Sequence, residues 1–258
     1  MSDPYSSYYN FLTREVITPF YRKRLEKLEE MSLLRMIKSK NPYLLKAKNL
    51  QIVSDLIKSM VDSSISSSEE TMFGNLLECF AIHVSENRDK GFKSDLKSVD
   101  LEFLRGDTYY IVGIKSGVVW GNRDQVEKMR DNFKLHRKAL IATGKALKVE
   151  CINGCMYGKD ANPYKIDAND RERNYYKYAG QVFWEFLSGD SELYQKIIVP
   201  IGAEARQQDE TFKALYNKKI NEMTEDFITH FTTESMIDWN KLIESISKKL
   251  GSQTPNAI

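Results

Sequence analysis

Residues 98–115 read SVDLEFLRGDTYYIVGIK, and this stretch decides the fold. Apolar and polar side chains alternate on either side of the pair Gly106-Asp107. Such a pair between two alternating runs is typical of a hairpin with a two-residue turn. The pattern predicts two antiparallel strands, at 98–104 and 109–115.

The register of the hairpin follows from its turn. If Arg105 pairs with Thr108, Asp100 lies opposite Gly113, and successive side chains point to opposite faces of the sheet. One face is then entirely apolar or aromatic and is expected to face the core: Val99, Leu101, Phe103, Tyr110, Val112 and Ile114. The other face carries Asp100, Glu102, Gly113 and Lys115.

Asp100 and Lys115 become diagonal neighbours in this register, about 7–8 Å apart at the backbone, so their side chains can converge on one point. A carboxylate can hold a divalent cation that polarises a phosphoryl group, and a nearby ammonium can hold the attacking water. The pair therefore suits phosphodiester hydrolysis, which needs at least one more anionic ligand. The alternative is an ordinary salt bridge on a solvent-facing sheet, worth at most about 1 kcal/mol.

The rest of the chain is mainly helical by pattern. Short amphipathic helices are expected over residues 5–63. A serine-rich segment at 62–70 predicts a break before a core-facing helix at 71–84 that carries Glu78, and a polar loop follows at 87–97. Beyond the hairpin, the pattern predicts a strand near 148–156 and helices at 123–140, 178–188, 191–206, 210–230 and 237–249.

The predicted fold class is α/β, with a small mixed central sheet flanked by many helices. We expect an N-terminal helical region at 1–68, which could serve dimerisation, a core at 69–207, and C-terminal helices at 208–258 that pack on the core.

Composition excludes several classes of protein. Lys and Arg number 38 and Asp and Glu number 36, so the formal net charge of +2 indicates no strongly basic or acidic chain. Three cysteines without paired spacing predict reduced thiols rather than a disulfide framework or a zinc site. No apolar run is long enough to cross a bilayer, and the N-terminus lacks an export signal, so we expect a cytoplasmic protein without a membrane partner.

Several short motifs follow one another between residues 70 and 246: Phe73-Gly-Asn-Leu-Leu-Glu, Ile114-Lys-Ser-Gly, Trp120-Gly-Asn, Tyr157-Gly-Lys, Tyr178-Ala-Gly-Gln-Val-Phe-Trp and Trp239-Asn-Lys-Leu-Ile-Glu. In this order they resemble type II restriction endonucleases of the PD-(D/E)xK superfamily, and within it the group that cuts palindromes with a GGNCC core. The resemblance implies a restriction-endonuclease-like core, Mg²⁺ as cofactor, double-stranded DNA as partner, a homodimer, and no nucleotide cofactor.

The resemblance also implies roles for single residues. Asp100 binds metal, Lys115 orients the attacking water, and Glu78 is the helix glutamate of the pattern. The chain departs from the pattern at Val99, which stands where a proline is common. It departs more seriously at Gly113, which stands where the family has its second acidic ligand.

The missing ligand has a candidate on the following helix. Some relatives carry this acid about a dozen residues after the lysine, and this chain has Glu127 there. The implied metal ligands are then Asp100, Ile114 and Glu127. The alternative acids are Asp124, Glu102 and Glu78. An acid in the first turns of a helix can also be a simple partner of the helix dipole.

The loops after the second hairpin strand and after the strand near 148–156 are expected to meet DNA. The candidate contacts are Ser116, Trp120, Asn122, Arg123, Asn153, Tyr157 and Lys159. Phosphate contacts usually outnumber base contacts in such interfaces, so a positioning role is expected for each.

The leading hypothesis is therefore a Mg²⁺-dependent type II restriction endonuclease that cuts double-stranded DNA at a short palindrome. The first alternative is a sequence-specific DNA-binding protein on the same fold that has lost cleavage at Gly113. The second is a helical protein-interaction module without DNA affinity.

Overall fold

The computed structural model describes residues 4–248, apart from the side chains of residues 4 and 203–209. A π-helical stretch, Leu12–Ile17, joins the first two helices, and a short 3₁₀ helix spans Arg171–Arg173. The α-helices are α1 Pro4–Phe11, α2 Thr18–Glu29, α3 Leu33–Ser39, α4 Pro42–Ala47, α5 Val53–Asp89, α6 Arg123–Ala142, α7 Gln181–Ser188, α8 Leu193–Lys196, α9 Ile198–Phe231 and α10 Trp239–Ser247. The strands are β1 Phe92–Lys93, β2 Leu101–Arg105, β3 Thr108–Lys115, β4 Lys148–Cys155, β5 Tyr164–Lys165, β6 Tyr175–Ala179, β7 Thr232–Thr233 and β8 Met236–Ile237. The predicted α/β class is confirmed.

The chain forms two compact units. The first contains the described residues up to Phe20 together with Met72–Arg206, and the second contains Tyr21–Thr71 and the described residues from Gln207 onward. None of the described helices combines the length and apolar character that crossing a bilayer requires.

The first unit is built on a six-stranded mixed sheet with the order β1-β2-β3-β4-β6-β5. The hairpin β2–β3 has the predicted register, because Arg105 pairs with Thr108. Gly106 has φ +59°, which a first turn position of the II′ type requires. From β3, the chain crosses through α6 to β4, which lies parallel to β3.

One face of this sheet is covered by α6. Phe133 on α6 and Ile111 on β3 are fully buried within the same cluster. Val99 also belongs to this cluster, which corrects its predicted place on the face of Leu101. The reason is local. Ser98 has φ +65° and the Val99 amide bonds the Leu96 carbonyl, so residues 96–99 form a turn before β2 begins at Leu101.

The second unit is helical. Its core contains buried residues of α2 to α5, α9 and α10, among them Leu28, Ile57 and Phe227, which are 0% exposed. This core includes none of the sheet strands β1 to β6.

The predicted serine-rich break at 62–70 is wrong, because α5 continues through it. Ser68 donates a hydrogen bond to the Ser64 carbonyl, and Thr71 donates one to the Ser67 carbonyl. Ile65 packs against the core of the second unit. Hydroxyl groups that bond back along the helix can be accommodated where packing supports the helix.

Two other helix boundaries also differ from prediction. Tyr175–Ala179 is a strand rather than the beginning of a helix at 178, since it pairs with β4 and β5. Gly180, at φ +55°, then turns the chain into α7. The two helices predicted at 191–206 and 210–230 are instead the short α8 and the continuous α9.

Candidate active site

Asp100 and Lys115 meet at one end of the hairpin. The Asp100 amide bonds the Val112 carbonyl at 2.8 Å, which anchors the residue just before β2. Its Oδ2 accepts a hydrogen bond from the Ile114 amide at 2.6 Å and lies 3.4 Å from Lys115 Nζ. The predicted convergence of the two side chains is therefore confirmed, whereas their catalytic roles stay predictions.

The Lys115 ammonium contacts other groups besides Asp100. It donates a hydrogen bond to the Ile114 carbonyl at 2.7 Å and lies 5.5 Å from the centre of the Trp120 ring. The side chains of Lys115 and Asp100 remain 30% and 24% exposed. A ligand in solvent can thus reach both charged groups.

Glu78 of α5 lies near this pair. Burial, followed by the charge of Asp100, raises the pKa of its carboxyl group, while Lys93 and Lys115 act in the opposite direction. In the described part of the chain, no hydrogen bond or ion pair engages this half-buried carboxylate. A carboxylate whose pKa is raised by burial and by a neighbouring negative charge is one that a bound cation would stabilise.

The close packing of α5 on the end of β3 has a steric requirement. A Cβ atom at Gly74 would lie 2.6 Å from Ser116 Oγ, so the helix approaches Ser116 at a residue without a side chain. Glu78, one turn later on α5, is thereby carried to the end of β3.

Lys93 was not among the residues predicted from the sequence. It belongs to β1, in a segment predicted as loop, and the amide of its neighbour Ser94 bonds the Asp100 carbonyl at 3.1 Å. Lys93 is exposed and, within the described residues, takes part in no ion pair. A two-residue edge strand leaves too short a pattern to be recognised in advance.

Gly113 faces α6 and has little free space. A Cβ atom there would lie 2.8 Å from the Ser98 carbonyl oxygen and 3.5 Å from Phe133 Cζ. The turn at Ser98 therefore occupies the direction in which the second acidic side chain of the family pattern would leave the strand.

Glu102 shares a face with Asp100 and Lys115, which the salt-bridge alternative places in solvent, but Glu102 itself is buried. Glu102 is only 4% exposed. Its carboxylate accepts hydrogen bonds from Ser94 and Tyr109, both at 2.8 Å, and lies 3.6 Å from Lys145. Glu102 is thus held in a buried polar network and is not available as a replacement ligand.

Glu127 is engaged elsewhere in the structure. Its carboxylate accepts hydrogen bonds from Arg173 at 2.6 Å and from Arg130 at 3.3 Å. Among the described residues, no group of three or more His, Cys, Asp and Glu side chains is arranged to hold a metal ion. Glu127 is therefore not grouped with Asp100 in this structure, and the role of Glu127 as a metal ligand stays a prediction. Asp124, the remaining alternative, is exposed in the first turn of α6.

The loop after β3 leads directly into α6. Asn122 caps this helix, because its side chain accepts a hydrogen bond from the Gln125 amide while Gln125 reaches back to the Asn122 amide. Its predicted DNA contact competes with this capping role. Arg123 follows in the first helical position and is exposed.

The predicted DNA contacts around β4 fall into two groups. Asn153 is 1% exposed and accepts a hydrogen bond from Trp120 Nε1 at 3.1 Å, so it is a buried residue of the sheet rather than a surface contact. Tyr157 is 65% exposed, and Lys159 is exposed as well. The Tyr157 amide bonds the Ser116 carbonyl, which ties the two loops together.

The donor atoms suit a hard cation. Mg²⁺ prefers oxygen ligands and commonly uses one or two carboxylates, with waters and substrate phosphates completing the set. Asp100 Oδ1 takes part in none of the hydrogen bonds in the described residues, and the Glu78 carboxylate and the Ile114 carbonyl are close by. These oxygens would be the ones to hold such an ion, next to the Lys115 ammonium.

The chain matches one family model. Residues 9–209 match the model described as type II restriction endonuclease EcoO109I. The match covers more than half of the chain and includes Glu78, Asp100 and Lys115. No sequence among the curated proteins matches the chain.

Proposed function

The chain belongs to the family of the type II restriction endonuclease EcoO109I, and on this premise we propose that it is a Mg²⁺-dependent endonuclease that cuts double-stranded DNA. The target is a short palindrome, and the motifs favour one with a GGNCC core. The hairpin with Asp100 and Lys115 supports placing the chain in the PD-(D/E)xK superfamily.

One observation supports cleavage most strongly. Asp100 is held by the Ile114 amide with Lys115 beside it, while Glu78 presents a second carboxylate that has no partner in the described structure. A structural salt bridge would need only Asp100 and Lys115. An additional half-buried carboxylate with a raised pKa is costly and is typical of a functional site.

Asp100, Glu78 and the Ile114 carbonyl would hold the ion. Bound Mg²⁺ polarises the phosphoryl group and lowers the pKa of a water molecule. Glu127 is the alternative third ligand, and it would first have to leave Arg130 and Arg173. We favour Glu78 because its carboxylate is already free of such pairs.

Lys115 has the position expected for the group that orients the attacking water. Its ammonium is fixed between the Asp100 carboxylate and the Ile114 carbonyl, and the Trp120 ring covers one side. Three such contacts restrict a flexible side chain and lower the entropy cost of orienting a water molecule. Lys93 is a second exposed cation at this end of the sheet and would contact a DNA phosphate.

A palindromic target implies a homodimer, because each subunit would then meet one half-site and cut one strand. Tyr157 and Lys159, both exposed, are the best placed of the predicted DNA contacts near β4.

The second candidate function is sequence-specific DNA binding without cleavage. The observation that favours it is Gly113, where the family's second acid is absent and the Ser98 carbonyl fills the space. Such a protein would retain the fold and the DNA surface.

Incubation of the protein with plasmid DNA and Mg²⁺ tests the proposal. Discrete fragments that disappear with a chelator support the endonuclease. Sequence-selective gel shifts with uncut DNA at every Mg²⁺ concentration support the binding protein. Absence of any salt-dependent binding to duplex DNA would contradict both and favour a protein-interaction module.

A further inference from the structure

The segment from Arg35 to Lys58 is the most basic part of the second unit. It contains six cations and a single acid, Asp55, so its formal charge is 6 − 1 = +5, although the whole chain carries only +2. The six cations are Arg35, Lys38, Lys40, Lys46, Lys48 and Lys58.

No carboxylate of the described residues lies within ion-pair distance of these cations. Within the described residues, none of the six takes part in an ion pair, and all except Lys40 are exposed. Lys46 instead lies 5.0 Å from the centre of the Trp239 ring. The first unit is different, since many of its cations pair with acids: Arg105, Lys134, Lys138, Lys165, Arg173 and Lys177.

Lys40 and Lys48 are brought together by α5. Each follows the end of a short helix, α3 or α4, and reaches across to a serine hydroxyl of α5. Lys40 Nζ lies 3.1 Å from Ser63 Oγ, and Lys48 Nζ lies 3.1 Å from Ser59 Oγ. The two serines are one turn apart on the same side of the helix, where Cβ atoms are about 5–6 Å apart.

This arrangement positions two ammonium groups without neutralising them. A serine hydroxyl fixes the direction of each lysine side chain but supplies no negative charge. Of the two acids on this part of α5, Asp62 is bonded by the Tyr216 hydroxyl, and within the described residues Asp55 forms no ion pair with Lys40 or Lys48. Two fixed like charges repel each other, and a row of phosphates would relieve the repulsion.

We propose that Lys40 and Lys48, together with the other cations of this segment, Arg35, Lys38, Lys46 and Lys58, form a surface that binds the phosphate backbone of duplex DNA without regard to sequence. The surface is a second DNA contact beyond the candidate active site. The inference rests on DNA being the partner in the proposed function, but it does not depend on cleavage.

The test is the salt dependence of DNA binding, measured by fluorescence anisotropy with a labelled duplex and without divalent metal. The double variant Lys40→Gln/Lys48→Gln is compared with wild type. Each lost phosphate contact lowers the slope of log affinity against log salt by roughly 0.9, so we expect a decrease of about 1.8. Lys40→Arg/Lys48→Arg should retain the slope.

A matched control removes the same charge from ion-paired lysines. Lys218 and Lys248 each pair with a glutamate one turn away, at 3.7 and 3.0 Å, so Lys218→Gln/Lys248→Gln should leave the slope nearly unchanged. In wild type, duplex DNA should also protect Lys40 and Lys48 from acetylation more than Lys218 and Lys248. This measurement does not require a variant that folds.

The outcomes separate this surface from the active site. An unchanged slope in the Gln double variant, or no protection of the two lysines, overturns the surface even if the protein cuts plasmid DNA. A decrease of about 1.8 with protection supports the surface even if the protein never cuts.

Discussion

Replacement of Gly113 tests both the packing of the site and the meaning of the missing acid. An alanine Cβ would lie 2.8 Å from the Ser98 carbonyl oxygen and 3.5 Å from Phe133 Cζ. The first separation is too short for a carbon and a backbone oxygen, so the turn at Ser98 must shift. Overpacking of this kind costs about 1–3 kcal/mol.

For a chain of this size, 1 kcal/mol corresponds to about 2–4 °C in melting temperature, so Gly113→Ala should melt about 2–12 °C lower than wild type. Circular dichroism during heating measures the shift. Gly202→Ala is the control, because Gly202 lies within α9 and the described residues leave space for a methyl group. That variant should melt at the same temperature or higher.

Gly113→Glu extends the test to function. The new carboxylate would have to leave the strand where the Ser98 carbonyl lies, so we expect lower stability and no gain in cleavage. An unchanged melting temperature for Gly113→Ala would refute the packing argument. If the wild-type protein does not cut DNA and Gly113→Glu does, Gly113 is the residue that inactivated the enzyme.

Two further predictions concern the acids and the thiols. Glu78→Gln should reduce Mg²⁺-dependent cleavage by about 100-fold or more, while its melting temperature changes little. Glu127→Gln should mainly lower the melting temperature, because its ion pairs with Arg130 and Arg173 are weakened. The reverse pattern would assign the metal ligand to Glu127. With iodoacetamide at pH 8, the folded protein should be alkylated at exposed Cys79 and not at the two buried thiols. Burial raises the pKa of Cys151 to about 12 and that of Cys155 to about 11, so neither forms the reactive thiolate readily at this pH. Equal labelling of all three thiols before unfolding, measured by mass spectrometry, would contradict this.

The hairpin shows how far the sequence alone can lead. Two alternating runs and the Gly106-Asp107 turn were sufficient to predict the register, and with it the approach of Asp100 and Lys115. This works because the period of a strand is two and a short turn permits few pairings.

The predictions that were wrong depended on tertiary packing. The break at 62–70 was inferred from serine composition, but packing against the second unit's core retains the helix. Likewise, the aromatic residues of Tyr175–Ala179 suit a helix face or a strand, and only their pairing with β4 decides between the two.

The environment of the candidate ligands was also hidden from the sequence. The space beside Gly113 is filled by a turn in which Ser98 has a left-handed backbone conformation. Glu127 pairs with Arg173, which lies 46 residues later in the chain. Neither contact leaves a periodic signal. Lys93 is placed near the site by the pairing of β1 with β2, which the sequence pattern does not predict.

The most direct test of the central claim is plasmid cleavage by wild type and by Asp100→Asn, with DNA binding measured in parallel. The substitution retains the shape of the side chain but removes the charge that would hold the metal. We expect wild type to produce discrete fragments with Mg²⁺, and Asp100→Asn to bind DNA without cutting it. Cleavage by Asp100→Asn at the wild-type rate would contradict the account.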